Sequence, residues 1–311
     1  MVLSVKNLCK KYKEKKALDD FSFEVKKGEV LGLLGPNGCG KTTAINCVLS
    51  LLKFDSGEIK IFGEPMTENA LHIKKKIGLV PQEVSLFYDF TVLENIDYFC
   101  GLYVNNSKQR KAFVDETLEF VGLQNYIKYK AKKLSGGLLR RLNIACGIAH
   151  KPELIFMDEP TVAVDAQSRN FILSGIKELA KNGSTIVYTT HYLEEAETLC
   201  DRIVIMDNGK AIADGTLDEL KNMVRTQEKI IVEFVDAPSD IKTKLKTIPH
   251  VLDVAEQANE YLISFEKYTN NLDELISFIK TENLSYTKLY SERPSLNDTF
   301  LELTGKELRD E

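Results

Sequence analysis

Residues 30–43 read VLGLLGPNGCGKTT. The apolar run from Val30 to Leu34 is unbroken and strand-sized, which predicts a strand buried on both faces. From Thr42 to Leu52, the residues Ile45, Val48, Leu49 and Leu52 recur at helical spacing. Between strand and helix, residues 35–42 match G-x-x-x-x-G-K-[ST] in full, in the context that motif requires. Glycines there let backbone N–H groups converge on phosphate oxygens, and the helix N-terminus adds partial positive charge. Lys41 is placed to reach β- and γ-phosphates, and Thr42 offers a hydroxyl to Mg²⁺. A chance turn with a surface lysine would not need both flanks. The candidate nucleotide contacts are therefore Gly35, Asn37, Gly38, Cys39, Gly40, Lys41, Thr42 and Thr43.

Two further stretches complete the pattern. Residues 154–160, LIFMDEP, form an apolar strand that delivers Asp158 and Glu159 at its carboxyl end, where open α/β sheets bind ligands. Asp158 would hold Mg²⁺ through water, and Glu159 would polarise an attacking water, because phosphoryl transfer depends on positioning and charge stabilisation. Alone, an acidic pair before Pro160 reads as a solvated helix start; downstream of a phosphate loop it reads as catalytic. Residues 134–142, LSGGLLRRL, open a helix to about Ala149, and Ser135, Gly136 and Gly137 leave its N-terminus free of bulk and ready for an anion. One domain rarely needs two phosphate cradles for a single nucleotide.

The phosphate loop, residues 134–138, residues 154–160 and His191, in this order, resemble the ATP-binding cassette family over about the first 220 residues. The resemblance implies ATP and Mg²⁺ as cofactors and a head-to-tail dimer, of the chain with itself or with a paralogous cassette. In it, Ser135 and Gly137 of one protomer close over ATP on the phosphate loop of the other. It also implies that Tyr12 stacks on adenine, that Gln82 sits near Mg²⁺ and the attacking water, that Asp165 lies at the dimer seam and that His191 contacts the γ-phosphate. Read by themselves, Tyr12 is surface packing, Gln82 a loop residue, Asp165 a helix cap and His191 a structural histidine. Leu138, Cys39 and Ala163 stand where the family commonly has glutamine, alanine or serine, and glycine. Cys39, near a helix N-terminus, reads either as a redox-sensitive thiol of lowered pKa or as a small residue filling the loop, and the second reading is preferred.

Around these motifs the expected fold class is α/β. Half-buried strands alternate from Leu3 to Val25 around a charged turn from Lys10 to Lys16, giving an antiparallel β edge. Short buried strands at Glu153 to Met157, Ser184 to Thr189 and Arg202 to Met206 give a mainly parallel core sheet, closed by an Asn208-Gly209 hairpin. Helices from about Val92 to Tyr103 and Lys108 to Val121 make a helical lobe. After residue 223 the order becomes βαββαβ, a small α+β ferredoxin-like module, with a last helix capped by Ser295. The expected division is an ATP-binding domain over 1–223 and an accessory domain over 224–311.

The net charge of −5 gives no chain-wide attraction to nucleic acid or anionic membrane. Six scattered cysteines without a C-x-x-C pair indicate a reducing compartment. No apolar run approaches the roughly 20 residues that span a bilayer. A transport role would thus require a separate integral membrane permease, with this chain at the cytoplasmic face of the cell membrane. Residues 161–169, TVAVDAQSR, and 294–306, PSLNDTFLELTGK, resemble bacterial drug- and antibiotic-resistance exporter ATPases of the daunorubicin and linearmycin type. In such transporters the region around Gln82 and the helical lobe receives short helices of the membrane subunits; here Phe87, Tyr88, Phe90, Tyr98 and Phe99 cluster in it. The alternative is a soluble cassette ATPase acting on ribosome or nucleic acid. Against it, residues 224–311 carry 11 Lys and Arg but 17 Asp and Glu, and the strand at 261–266 lacks an RNA-binding aromatic pattern. No nucleic-acid partner is expected.

Overall fold

A computed structural model of the chain describes residues 1–224, 226–258, 260–266, 270–292 and 295–305. The chain folds as two units, one from Met1 to Thr216 and one beginning at Leu217. This division falls seven residues before the expected 223/224 boundary.

In the first unit, strands β1 (Leu3–Tyr12) and β2 (Lys15–Val25) pair antiparallel with Leu3 opposite Val25, Val5 opposite Phe23 and Leu8 opposite Phe21. These alternating apolar residues are buried. The ladder continues to Tyr12 opposite Lys15, so the turn is only two residues, shorter than the charged turn from Lys10 to Lys16 expected from sequence. Lysine side chains at that edge point into solvent while the backbone still pairs. Next come β3 (Val30–Leu34), α1 (Lys41–Val48), β4 (Ser56–Ile61), β5 (Glu64–Pro65), α2 (Leu71–Lys74) and β6 (Ile77–Val80). Strands β2-β1-β4-β5 form the antiparallel edge sheet. Helix α1 ends before Leu52 because Ser50 turns into the left-handed region at φ 51°.

The helical lobe holds α3 (Val92–Gly101), α4 (Ser107–Phe120) and α5 (Gly136–Ile148) around Val92, Ile96, Val114, Leu118, Leu142 and Ala145. The core sheet continues with β7 (Leu154–Asp158), α6 (Ala166–Lys181), β8 (Thr185–Thr190), α7 (Leu193–Leu199), β9 (Arg202–Asp207) and β10 (Lys210–Gly215). Its order is β10-β9-β3-β8-β7-β6, parallel except where β10 returns on β9. That return is the expected hairpin, with Asn208 at φ 46° and Gly209 at φ 77°. Every residue of β3, β7 and β8 is buried, as a sheet covered on both faces requires.

The second unit opens with α8 (Leu217–Lys221), which packs against the last helix. It continues with β11 (Thr226–Phe234), α9 (Ile241–Leu245), β12 (Val251–Gln257), β13 (Glu260–Glu266), α10 (Asn271–Thr281), β14 (Tyr286–Glu292) and α11 (Leu296–Thr304). The sheet order β12-β13-β11-β14, antiparallel throughout, is that of a ferredoxin-like module. Ile230, Val232, Val254, Ile263 and Phe265 meet Leu245, Leu275 and Ile279 in its core. Ser295 caps α11 in a capping box with Asp298. Pro294 and Lys306, the ends of the exporter-like stretch, lie outside the described residues.

Candidate active site

The carboxyl ends of β3, β6, β7 and β8 are neighbours in the core sheet, and each runs directly into a segment singled out above. Leaving β3, the chain packs so tightly that a methyl group on Gly35 would lie 2.2 Å from the Met206 carbonyl oxygen. Gly40, at φ 115°, is the N-cap of α1, so the loop needs glycine at both ends. Asn37 and Gly38 are exposed, and Thr42 and Thr43 sit on the first helical turn. Cys39 is buried against this loop, and burial pushes its thiol pKa up. That is opposite to what a reactive thiolate needs and fits a loop-filling residue.

Lys41 is only 5% exposed. Its Nζ donates to the carbonyls of Gly35 (2.7 Å) and Pro36 (3.2 Å) and lies 3.1 Å from Glu159 Oε1. The same carboxylate oxygen is 3.3 Å from His191 Nδ1, and Glu159 Oε2 accepts from Gln82 Nε2 at 3.1 Å. Four segments of the sequence therefore meet where Lys41, Gln82 and His191 converge on the buried carboxylate of Glu159. Glu159 has φ 44°, a left-handed conformation unusual for a residue with a side chain. Its backbone N–H donates to Thr189 Oγ1 at 2.9 Å, and the Thr189 hydroxyl donates to Asp158 Oδ1 at 2.5 Å. Thr189 thus joins the two acidic residues.

A second group forms at the start of α5. Ser135 caps that helix through the Leu138 N–H at 3.4 Å, so position 138 contributes its backbone while its side chain packs into the lobe. A methyl group on Gly137 would fall 2.0 Å from Ser168 Oγ and 2.9 Å from Asp165 Oδ2. Asp165 caps α6, accepting from the Ser168 N–H and hydroxyl at 2.8 Å each, and these bonds hold its carboxyl below the usual range. Gly137 and Asp165 thus meet at Ser168, and Ser135 and Gly136 immediately precede Gly137 at the start of α5. Tyr12 stands at the end of β1, half exposed, with Lys10 Nζ 5.5 Å from its ring centre.

Arg140 was not singled out in the sequence. It is 3% exposed and donates to five backbone carbonyls: Pro81 (3.1 Å), Gln82 (2.7 Å), Asp158 (3.3 Å), Glu159 (2.5 Å) and Pro160 (2.7 Å). A single side chain of α5 therefore ties the Gln82 loop to the Glu159 loop. The adjacent Arg141 instead stacks on Phe171 at 4.5 Å.

Among the described residues no three His, Cys, Asp or Glu side chains gather into a metal cage. The oxygen donors at hand, Thr42, Gln82 and Asp158, suit Mg²⁺, which takes few protein ligands and completes its shell with phosphate and water.

The description "ABC transporter" matches residues 18–162, and "ATP-binding protein DrrA1-3-like, C-terminal domain" matches residues 215–304. The linearmycin resistance ATP-binding protein LnrL of Bacillus subtilis is 38% identical over 311 residues, covering 99% of this chain and 100% of that protein. The chain belongs to the ABC transporter ATP-binding proteins. The Nod factor export ATP-binding protein I of Ralstonia nicotianae is 34% identical over 313 residues, 99% of this chain and 95% of its own length. Among solved structures, the ATP binding subunit of an ABC transporter aligns with TM-score 0.66 at 27% identity, over 72% of this chain and 93% of that one. The ATP-binding cassette MJ0796, as a dimer in a post-hydrolysis state with ADP and Pi, aligns with TM-score 0.64 at 29% identity, over 69% and 98%. This ABC protein is a nucleotide-binding ATPase, and its relatives favour transport over the soluble alternative. No described helix is long and apolar enough to cross a membrane.

Proposed function

We propose that this ATPase powers export of a drug, antibiotic or lipid-like compound through a separately encoded integral membrane permease, from the cytoplasmic face of the membrane. The observation that carries the reading is the convergence of Lys41, Gln82 and His191 on Glu159 at adjacent strand ends. Phosphate oxygens entering the loop take over the Lys41 ammonium, which releases Glu159 Oε1 to orient a water. Gln82 and His191 then bracket that water and the γ-phosphate. Thr42 and Asp158, with Gln82, would hold Mg²⁺, which would supply neutralisation of the charge on the phosphate oxygens. Tyr12 receives the adenine, and Ser135 and Gly137 close over the nucleotide of a second protomer, with Asp165 at the seam.

The permease docks beside the Gln82 loop. A groove of about 460 Å³ there is lined by Leu49, Leu79, Ser85, Phe99, Tyr103 and His150. Next to it Phe87 stacks on Phe90 and meets Tyr98 edge-on, each pair at 4.9 Å, and all three rings are exposed. A short amphipathic helix of a membrane protein fits such a surface.

Glu159→Gln tests the catalytic assignment. ATP binding should survive, turnover should fall at least about a hundredfold, and an ATP-dependent dimer should accumulate. Phosphate release at the wild-type rate would remove Glu159 from this role. Tagged protein drawn from detergent-solubilised membranes should bring a polytopic membrane protein in stoichiometric yield; ribosomal proteins or nucleic acid in its place would overturn the transport reading.

A further inference from the structure

Behind the active site lies a third buried carboxylate, which, unlike Asp158 and Glu159, the proposed chemistry does not use. Glu195, on α7, is 3% exposed. Its Oε2 accepts three hydroxyls: Tyr188 at 2.7 Å, Thr161 at 3.0 Å and Thr190 at 3.0 Å. Its Oε1 faces Arg169 Nε at 3.5 Å. Both of these atoms are sealed from solvent and neither has a hydrogen-bond partner.

The three hydroxyls and the guanidinium belong to segments that matter elsewhere. Thr161 follows Glu159 and Pro160. Thr190 precedes His191, and its hydroxyl also accepts from the Tyr192 N–H at 2.9 Å. Arg169 lies one turn into α6, with its N–H on the Asp165 carbonyl at 2.9 Å. Its guanidinium stacks on Tyr192 at 4.5 Å, and the Tyr192 ring lies 4.2 Å from the His191 imidazole. A continuous chain of contacts thus runs from Asp165 through Arg169, then by both Glu195 and Tyr192, to His191.

Stability alone does not call for this arrangement, since an apolar group of the same shape usually serves a core as well as a buried ion pair. The Arg169–Glu195 pair also stands just outside hydrogen-bond distance, so a shift of α6 by a few tenths of an ångström makes or loses a charge-assisted bond.

We propose that Arg169 and Glu195 are positioning residues that set the His191 ring for hydrolysis according to where Asp165 and the start of α6 stand. The proposal rests on the placing of Asp165 and His191 in the reading above. Motion of α6 at the seam is passed to His191 through the ion pair and the Tyr192 stack, so the histidine is aligned only when the seam is closed.

The test is steady-state ATP hydrolysis by the purified full chain, with kcat and KM separated. Arg169→Gln should lower kcat about tenfold, the size of loss typical when an orienting partner is removed, while KM and nucleotide affinity stay within about twofold. Tyr192→Phe, which keeps the ring, should retain more of kcat than Tyr192→Ala. In a His191→Ala background Arg169→Gln should cause no further loss. Wild-type kcat in Arg169→Gln, or an equal loss with and without His191, overturns the relay. Arg169 is one-third exposed and should fold as Gln where the buried Glu195 does not, and a thermal melt of Arg169→Gln checks this before its kcat is read. Should the His191→Ala background be too slow to measure, the His191 ring resonances in ¹⁵N NMR decide: they should move in Arg169→Gln, and unmoved resonances overturn the proposal. Wild-type turnover by Glu159→Gln would sink the active-site reading itself; an inactive Glu159→Gln beside an unimpaired Arg169→Gln sinks the relay alone.

Discussion

Arg140 and Arg141 are adjacent and chemically identical, yet one is enclosed by five carbonyls and the other lies along a phenylalanine ring. Nothing local separates them; helix phase and the two loops that converge on α5 do. A buried guanidinium loses hydration that only good hydrogen bonds replace, and burial accordingly lowers the Arg140 pKa. Arg140→Met should therefore destabilise the chain by about 3 kcal/mol or more, since it strips charged donors from buried carbonyls. Chemical denaturation measures this, and the ATPase assay should show kcat falling more than nucleotide affinity, because the Gln82 and Glu159 loops lose their common tether. Ala163 offers a gain in the other direction. It sits at φ 59°, exposed, where glycine is at ease. Ala163→Gly should raise the urea midpoint by the equivalent of about 0.5–1 kcal/mol. At this scale the phosphate loop and the acidic pair were legible because their chemistry is written in consecutive residues. Arg140, Thr189 and Glu195 were not, because their partners are far away in the chain.

Among elements, the sequence announced β1 and β2 by alternation, the core strands β3, β7, β8 and β9 by short, mostly apolar runs, and the strands of the second unit by their order. Strand β6 went unread: it is four residues long, contains Gly78 and follows a run of lysines. Its place at the sheet edge is nonetheless what delivers Gln82 to Glu159. The start of α11 shows a local signal that was legible, Ser295 three residues before Asp298. Burial alone would raise the Asp298 carboxyl pKa, but the Lys229 ammonium and the Ser295 N–H and hydroxyl outweigh it and hold that pKa below the usual value. A pKa depressed in the folded state contributes stability that is present above the unfolded value, about pH 4, and is lost as pH falls through the folded value. Hydrogen exchange in α11 should therefore accelerate below about pH 4 relative to α10, and Asp298→Asn should remove that pH dependence. An unchanged profile in the variant would mean that other groups anchor the helix.

For the whole molecule, the two groups of site residues make different demands on a second copy. Lys41, Gln82 and His191 each contact Glu159, while Gly137, two residues after Ser135, lies against Asp165 and Ser168. If the second group serves the nucleotide held by the first group of another protomer, defects in the two groups should complement. Lys41→Ala disables phosphate binding in its own chain, and Ser135→Arg, an exposed change, blocks closure over the partner's nucleotide. Each alone should hydrolyse almost nothing. An equal mixture places one intact site in every mixed dimer, so random pairing should restore about a quarter of the wild-type sites. Phosphate release from the mixture, set against each variant at the same total concentration, reads this directly. A mixture as inactive as its components, with ATP-dependent dimers still present by analytical ultracentrifugation, would mean that two copies of this chain do not share their sites head to tail, and that Ser135 serves some other contact.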